Sequence, residues 1–241
     1  MGEQRDREGS EAGEGSGARE GSGAREGSEA AAAADVYSRP LLALYDTLVL
    51  GVVCRAVWRC PPEEMLALYD RHVTGRHLDI GPGTGYFLDR CRFPTRLPEI
   101  TLVDLNPTVL ATARRRIARY DPAALRRDVL RPMDLEGRRF TSAALNFVLH
   151  CLPSGAPAKF AVFDHLLPHL EPGATVFGST VPARGVPHTA VSRFHQRECV
   201  RRGVLNNSED SLELLDEALG SRFGRHRIRV RGTVALFEAT V

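Results

Sequence analysis

A glycine-rich turn behind a short apolar strand, HLDIGPGTGYFLDR at residues 77–90, most constrains how this chain can fold. Gly81, Gly83 and Gly85 let the backbone turn tightly and approach a ligand without clashes from Cβ atoms. Their G-x-G-x-G spacing differs from the G-x-G-x-x-G fingerprint of dinucleotide-binding folds, because Tyr86 occupies the place of the third glycine. The Lys-Ser/Thr pair of phosphate-binding P-loops is absent as well. The turn therefore predicts a ligand-binding loop that fits a pyrophosphate poorly.

Strand and helix patterns alternate through the rest of the chain. Two strands at the end are joined at Gly232, too tightly for a crossover helix, so we expect them to form an antiparallel hairpin. The predicted strands are 76–80, 99–105, 123–127, 141–149, 173–181 and the two within RHRIRVRGTVALFEATV, and the predicted helices are 84–91, 107–120 and 156–170, with mainly helical residues at 183–222. This alternation predicts an α/β fold with a mostly parallel sheet of seven strands.

The first 35 residues differ in composition from the remainder. They repeat GSGARE at 15–20 and 21–26 and contain no aromatic residue, which predicts a disordered low-complexity tail. We expect residues 36–241 to form one folded domain. Its first part, 37–74, is apolar and mostly helical in propensity, with an expected break at Gly51, and is predicted to form a helical lid.

Composition argues against several classes of protein. No apolar run approaches the roughly 18 residues that span a bilayer, so no membrane association is expected. The five cysteines are scattered without a Cys-x-x-Cys pair, which predicts neither disulfides nor a metal site and favours the reducing cytoplasm. Arg225, Arg227, Arg229 and Arg231 alternate along one predicted strand. They therefore share one face of that strand, where a nucleic-acid surface is one possible function.

Three acidic residues, Asp79, Asp104 and Asp128, lie at the ends of three successive predicted strands. In open α/β sheets, ligands bind outside the carboxyl ends of the strands. A carboxylate beside the glycine loop disfavours a phosphate and suits an ammonium group or another cation. Asp104 is placed to accept both ribose hydroxyls, and Asp128 to accept an exocyclic adenine amine. Together, these residues predict an adenosyl ligand that carries a positive charge.

Five ordered motifs give the chain a resemblance to the class I S-adenosylmethionine-dependent methyltransferases. They are HLDIGPGTGYFL, ITLVDLNP, RRDVL, LNFVLHCLP and LLPHLEPGATVFGSTV, and the resemblance covers about residues 37–241. It implies a Rossmann-like sheet with strand order 3-2-1-4-5-7-6, an antiparallel last hairpin and helices on both faces. In that order the arginine-rich sixth strand is an edge, so we interpret its arginines as a charged edge that resists strand pairing, rather than as a nucleic-acid surface. It also implies that S-adenosylmethionine is the methyl donor and S-adenosylhomocysteine the product.

The same resemblance implies a donor site at the carboxyl ends of the first four strands. It assigns the methionine end of the donor to Asp79, Gly81, Gly83 and Gly85, the ribose to Asp104 and Leu105, the adenine to Asp128 and Val129, and a place under the transferable methyl group to Asn146.

The methyl acceptor is less constrained by the sequence. The fourth-strand motif NFVL lacks the Asn/Asp-Pro-Pro-aromatic sequence of methyltransferases that modify nucleobase amines or protein glutamine, which argues against those acceptors. The resemblance favours a small-molecule acceptor, as in bacterial secondary metabolism. A methyltransferase acting on RNA or protein, and a non-catalytic S-adenosylmethionine-binding protein, are the alternatives.

Histidines supply the candidates for a general base. Transfer to an oxygen requires removal of a proton, and the pKa of histidine suits that task. His150 is the first candidate, ahead of His188 and His195, and a purely structural histidine is the alternative at each position. The residues leave open whether nitrogen, oxygen or carbon is methylated and whether the chain forms oligomers.

Overall fold

The computed structural model describes residues 46–241, with side chains from Leu48 onward. The predicted tail and residues 37–45 of the predicted lid lie outside the described residues. Helix α1 (Asp46–Val57) is wound as a π-helix and continues through Gly51, so the break expected there does not occur. Helix α2 (Pro62–His72) begins with proline and two glutamates, residues that suit the first turn and the positive end of the helix dipole.

Seven strands form one mixed sheet in the order β3-β2-β1-β4-β5-β7-β6. The strands are β1 (Arg76–Ile80), β2 (Glu99–Asp104), β3 (Ala123–Arg126), β4 (Phe140–Asn146), β5 (Leu170–Thr180), β6 (Arg225–Arg231) and β7 (Val234–Thr240). Strands β1 to β5 pair in parallel, and β7 pairs antiparallel with both β5 and β6. The predicted fold class and strand order are confirmed, and the arginine-rich strand β6 lies at an edge of the sheet.

Five further helices connect the strands: α3 (Tyr86–Arg90), α4 (Pro107–Arg116), α5 (Ala161–Leu166), α6 (Ala190–Arg201) and α7 (Leu212–Gly220). The helix predicted over 156–170 is divided into α5 and two flanking 3₁₀ turns. Pro168 lies in the second of these turns, and its missing N–H prevents continuation of α-helical bonding.

Strand β4 is shorter than predicted and ends at Asn146. Phe147 has a left-handed backbone with φ +59°, which turns the chain out of the sheet. A 3₁₀ turn over Leu149–Cys151 follows. The end of β4 and this turn therefore lie at the edge of the sheet where the other parallel strands also end.

Apolar clusters cover the two faces of the sheet. Helices α5 and α7 pack on one face, where Phe163 and Leu219 join Leu78 and Ile80 of β1 in a single buried cluster. Helices α1 to α4 cover the other face. Because successive residues of a strand point to opposite faces, Asp79 of β1 faces the α2 side of the sheet. None of the helices in residues 46–241 is both long and apolar enough to cross a membrane.

Candidate functional site

A cleft opens at the carboxyl ends of strands β1 to β4, where the order of the strands reverses. Its empty volume, including the open mouth, is about 890 Å³. Seven of the nine residues assigned to the donor line this cleft: Gly81, Gly83, Asp104, Leu105, Asp128, Val129 and Asn146. The other two, Asp79 and Gly85, lie outside the lining.

The three glycines of the loop play different structural parts. All are left-handed, with φ values of +63° at Gly81, +55° at Gly83 and +76° at Gly85. A Cβ atom at Gly83 would meet nothing within 4 Å, so the backbone is open at this cleft-lining position. A Cβ atom at Gly85 would lie 3.2 Å from the Cα atom of Ala113, so this glycine allows the loop to pack directly against α4.

Asp104 provides a partly buried carboxylate at the end of β2. It accepts a hydrogen bond from the backbone N–H of Asn106 at 2.7 Å. Burial raises the pKa of Asp104 to about 6, while the backbone N–H groups of Asn106 and Leu105 oppose that rise. An ionised carboxylate has two oxygens and about four acceptor sites, so Asp104 retains capacity for paired hydroxyl donors such as those of a ribose.

Asp128 lies after β3 in a more apolar part of the cleft. Its carboxylate accepts a hydrogen bond from the backbone N–H of Leu130 at 3.0 Å. Val129 and Leu130 line the cleft beside it. An apolar wall with one convergent carboxylate suits a flat base that carries an amino group.

Asp79 lies on the α2 side of the sheet and is almost completely buried. It accepts a hydrogen bond from the Tyr69 hydroxyl at 2.9 Å, and His77 Nε2 lies 3.5 Å from the same oxygen. Burial and the adjacent Asp79 hold the pKa of Tyr69 well above its usual range, so Tyr69 remains a donor. The other Asp79 oxygen has no hydrogen-bond partner among the described residues. A buried orphan acceptor costs free energy, so this oxygen fits the ammonium group of an amino-acid moiety.

Aromatic side chains continue from the end of β4, beside Asn146. The left-handed backbone of Phe147 is strained for a residue other than glycine, and such strain clusters at functional sites. The Phe147 ring centre lies 5.3 Å from Trp58 and 5.5 Å from His150. Trp58 in turn lies 6.0 Å from His195 of α6. These four side chains, Trp58, Phe147, His150 and His195, are termed the aromatic cluster.

His150, the first candidate for a base, is buried and does not line the cleft. Its Nδ1 accepts a hydrogen bond from the backbone N–H of Val181 at 3.1 Å. The ring proton of the neutral form therefore lies on Nε2. Burial and the positive charge of Lys159 lower the pKa of His150 to about 3. These contacts favour a structural part for this histidine, and its catalytic role stays a prediction.

The other two histidines differ in their surroundings. His188 Nε2 lies 2.8 Å from the carbonyl oxygen of Pro182, which makes this nitrogen a donor. His195 is partly exposed, burial lowers its pKa, and its Nε2 lies 3.5 Å from Cys199 Sγ. Of the three, His195 combines partial solvent access with a contact to Trp58.

Lys159 and Asp210 form a buried ion pair that the sequence did not predict. Lys159, the only lysine of the chain, places its Nζ atom 2.9 Å from Asp210 and donates to the carbonyl oxygen of Asn206 at 2.6 Å. The backbone N–H of Asn206 donates to the carbonyl oxygen of His150 at 2.7 Å. Together, these contacts link Lys159 and residues 206–210 to the turn that follows β4. The single lysine in an arginine-rich chain is the only signal of the pair in the sequence.

Comparisons with known proteins identify the family of this chain. The methyltransferase domain family matches residues 78–176. The chain is 37% identical over 203 residues to the demethylluteothin O-methyltransferase of Streptomyces thioluteus, which covers 84% of this chain and 88% of the relative. It is 37% identical over 206 residues to the physcion biosynthesis cluster O-methyltransferase of Aspergillus chevalieri, covering 85% and 92%. The solved DhpI–SAH complex matches with a TM-score of 0.63 at 15% identity, over 89% of this chain and 97% of that chain, and supports the fold alone.

The sheet is Rossmann-like, and its cleft, lined by Asp104 and Asp128, lies where the strand order reverses. These features are typical of α/β proteins that bind an adenosyl ligand. The chain belongs to the S-adenosylmethionine-dependent methyltransferases. The predicted family, methyl-transfer activity and donor are confirmed. The relatives favour a small-molecule acceptor over RNA or protein.

Proposed function

We propose that this enzyme transfers the methyl group of S-adenosylmethionine to a hydroxyl oxygen of a small, largely aromatic acceptor. The observation that carries the choice of oxygen is that the two relatives described above, which span most of both chains, are O-methyltransferases. The aromatic cluster supports a planar acceptor, because aromatic rings favour edge and offset contacts with one another. Helix α6 also exposes two large apolar side chains, Val191 and Phe194, which suit an apolar acceptor.

Donor binding is assigned to the residues that line the cleft. When bound, S-adenosylmethionine supplies a methyl group activated by the sulfonium charge. The open backbone at Gly83 would receive the methionine end, and the unpartnered oxygen of Asp79 would accept a hydrogen bond from its ammonium group. Asp104 would accept hydrogen bonds from the ribose hydroxyls, and Asp128 would accept one from the adenine amine. These contacts fix the orientation of the reacting carbon, and that alignment is the main contribution a methyltransferase makes to the rate.

The transfer itself is an in-line displacement. The acceptor oxygen forms a bond to the methyl carbon while the carbon–sulfur bond breaks, and its electron pair stays on the sulfur of S-adenosylhomocysteine. The hydroxyl proton passes to a base, for which we propose His195. Its burial-lowered pKa keeps the ring neutral near pH 7, and it lies against Trp58. His150, the base predicted from the sequence, is the second candidate, because its Nδ1 already accepts a hydrogen bond.

Calorimetric titration with S-adenosylhomocysteine tests the donor site. Asp104→Ala removes the proposed ribose acceptor, and charge-assisted hydrogen bonds are worth about 1.5–3 kcal/mol, so we expect Kd to rise at least about tenfold. Arg115→Ala, an exposed change on α4, is the control. An Asp104→Ala variant that binds as tightly as the natural chain would refute the donor-site assignment.

A matched pair of acceptors tests the acceptor class. The enzyme is incubated with S-adenosylmethionine and either 2-naphthol or 2-naphthylamine, and the products are identified by mass spectrometry. We expect methylation of the hydroxyl compound. Methylation of the amine alone would overturn the choice of oxygen. Donor binding without methylation of any aromatic hydroxyl tried would overturn the proposed class of acceptor. With an active acceptor, His195→Gln should remove the limb of the rate profile that rises with pH, and His150→Gln should leave it in place.

Three further assignments complete the proposal. We propose a cytoplasmic location, which is supported by five cysteines of which none forms a disulfide. We propose a domain boundary near residue 36, before the helical lid. We propose that β6 is a charged sheet edge and not a nucleic-acid surface. This is supported by Arg229 and Arg231, which both form ion pairs with Glu64.

A further inference from the structure

The glycine loop requires a restraint from outside itself. Gly81, Gly83 and Gly85 are all left-handed, and glycine has the largest conformational freedom to lose, so such a loop is not rigid by its own sequence. Thr84 lies between two of these glycines and is only 6% exposed. A buried hydroxyl needs a hydrogen-bond partner, and Thr84 has one on helix α4.

Arg116, the last residue of α4, contacts both the loop and the helix that follows it. Its Nη1 donates to the Thr84 hydroxyl at 3.1 Å, and its Nε donates to Asp89 of α3 at 3.2 Å. Its Cζ atom lies 5.3 Å from the ring centre of Tyr86, the residue that breaks the dinucleotide spacing. A guanidinium group is a planar fork with fixed donor directions, so these simultaneous contacts constrain the positions of all three partners.

The same helix also approaches the loop through its backbone. A Cβ atom at Gly85 would lie 3.2 Å from the Cα atom of Ala113, tighter than an ordinary van der Waals contact. Ala113 and Arg116 are three residues apart and therefore neighbours on the surface of α4. Helix α4 thus contacts the loop at two consecutive positions, Thr84 and Gly85.

We propose that Arg116 is a positioning residue for the methyl donor: through Thr84 and Tyr86 it holds the glycine loop in the conformation that lines the cleft. The inference rests on the proposed donor site at Gly81 and Gly83. A loop that is already restrained loses less entropy when a ligand binds, so the contact raises donor affinity by preorganisation. Arg116 itself does not line the cleft.

Calorimetric titration of the full chain with S-adenosylhomocysteine tests this inference. Arg116→Met and Thr84→Val each remove the hydrogen bond between α4 and the loop, and we expect each to raise Kd about three- to tenfold. Thr84→Ser keeps the hydroxyl and should restore Kd to within about twofold of the natural chain. Arg119→Met is the matched control, because Arg119 also pairs with Asp89, at 2.6 Å, but its other described contacts are with Tyr120 and the Asp89 carbonyl.

Three results would overturn the inference. An unchanged Kd in both Arg116→Met and Thr84→Val would show that the loop needs no such restraint. An equal rise in Arg119→Met would assign the effect to the Asp89 ion pairs and not to the loop. Failure of the natural chain to bind S-adenosylhomocysteine would refute the donor site, and the inference with it. If Arg116→Met does not fold, the comparison of Thr84→Val with Thr84→Ser decides, because both replacements are close to threonine in size.

Discussion

Two regions of this enzyme are built in different ways. The proposed donor side is the cleft at the strand ends with helix α4, and the proposed acceptor side is the aromatic cluster with helix α6 and the pair of Lys159 and Asp210. On the donor side, the cleft is lined mainly by short segments in which a strand end runs directly into a turn. On the acceptor side, the contacts join residues far apart in the chain, as Trp58 contacts Phe147 and His195, and Lys159 pairs with Asp210. Local sequence therefore specifies the first side, and tertiary packing specifies the second.

The helices of the two sides differ in how much apolar surface they bury. Helix α4, on the donor side, buries three apolar side chains against the sheet. Helix α6, on the acceptor side, has only Ser192 and Gln196 fully buried, and it exposes Val191 and Phe194. Because most helical stability in proteins comes from packing of an apolar face, we expect the acceptor side to be the less stable of the two.

Loss of the buried ion pair should have the largest effect on stability. Lys159→Met leaves the carboxylate of Asp210 buried and unpaired, so we expect the free energy of unfolding to fall by about 3–5 kcal/mol. Combining Lys159→Met with Asp210→Leu removes both charges and should recover most of the loss. Urea unfolding followed by the fluorescence of Trp58, the only tryptophan, measures both variants. A loss below about 1 kcal/mol in Lys159→Met would contradict the expectation that this buried pair stabilises the fold.

Two glycines of the donor loop should separate stability from binding. Gly81→Ala combines left-handed strain with a Cβ atom 2.6 Å from Val148 Cγ2, and we expect it to cost about 2–4 kcal/mol of unfolding free energy. Gly83→Ala has the strain without the close contact, about 1–2 kcal/mol, but its methyl group would stand at the cleft.

For Gly83→Ala we therefore expect a further loss of S-adenosylhomocysteine affinity of about tenfold, equivalent to about 1.4 kcal/mol. Urea unfolding and calorimetric titration on the same preparations measure the two quantities. If Gly83→Ala destabilises the protein as much as Gly81→Ala does but leaves the affinity for S-adenosylhomocysteine unchanged, the loop backbone does not approach the donor.

The same difference between the two sides decides what the sequence predicts. Strand ends and glycine spacing are local signals, so seven of the nine donor residues predicted from them do line the cleft. Asp79 lies outside the cleft lining, because strand alternation places it on the α2 side, where Tyr69 donates to it. Its predicted contact with the methionine end of the donor stays a prediction. The predicted strand β4 is too long, because the apolar run LNFVL does not reveal the left-handed turn at Phe147. Lys159 and Asp210 are 51 residues apart, and no periodicity connects them.

Donor affinity should depend on pH through Asp104, with a smaller effect. Its pKa in the free protein is raised to about 6, so the stability that Asp104 contributes is fully present below its ordinary pKa of 3.8 and is lost as the pH rises through about 6. Ribose hydroxyls would stabilise the ionised form, so affinity should rise as the pH passes about 6 and be about tenfold weaker at pH 5 than at pH 7. Calorimetric titration across this range measures the slope. In Asp104→Asn the slope should disappear, and an Asn variant with the natural pH dependence would assign it to another group.

The smallest effect should come from the helix caps, and it bears most directly on the difference between the two sides. At the start of α4, the Asn106 side chain accepts a hydrogen bond from the backbone N–H of Thr108 at 2.8 Å. At the start of α6, the Thr189 hydroxyl accepts one from the backbone N–H of Ser192 at 3.1 Å. Replacing either cap by alanine removes about 1 kcal/mol of local stabilisation. Asn106→Ala should lower the global free energy of unfolding by that amount, because α4 is packed on the sheet. Thr189→Ala should change it by less than about 0.5 kcal/mol, because α6 then frays locally before the protein unfolds.

Hydrogen exchange separates these two cases. Amides of residues 190–201 should exchange faster in Thr189→Ala while those of the sheet keep their protection, whereas Asn106→Ala should reduce protection throughout the sheet. If Thr189→Ala instead lowers the global stability as much as Asn106→Ala, then α6 belongs to the cooperative core. The acceptor side would then be as firmly built as the donor side, and its long-range contacts would stabilise it as well as local motifs stabilise the other.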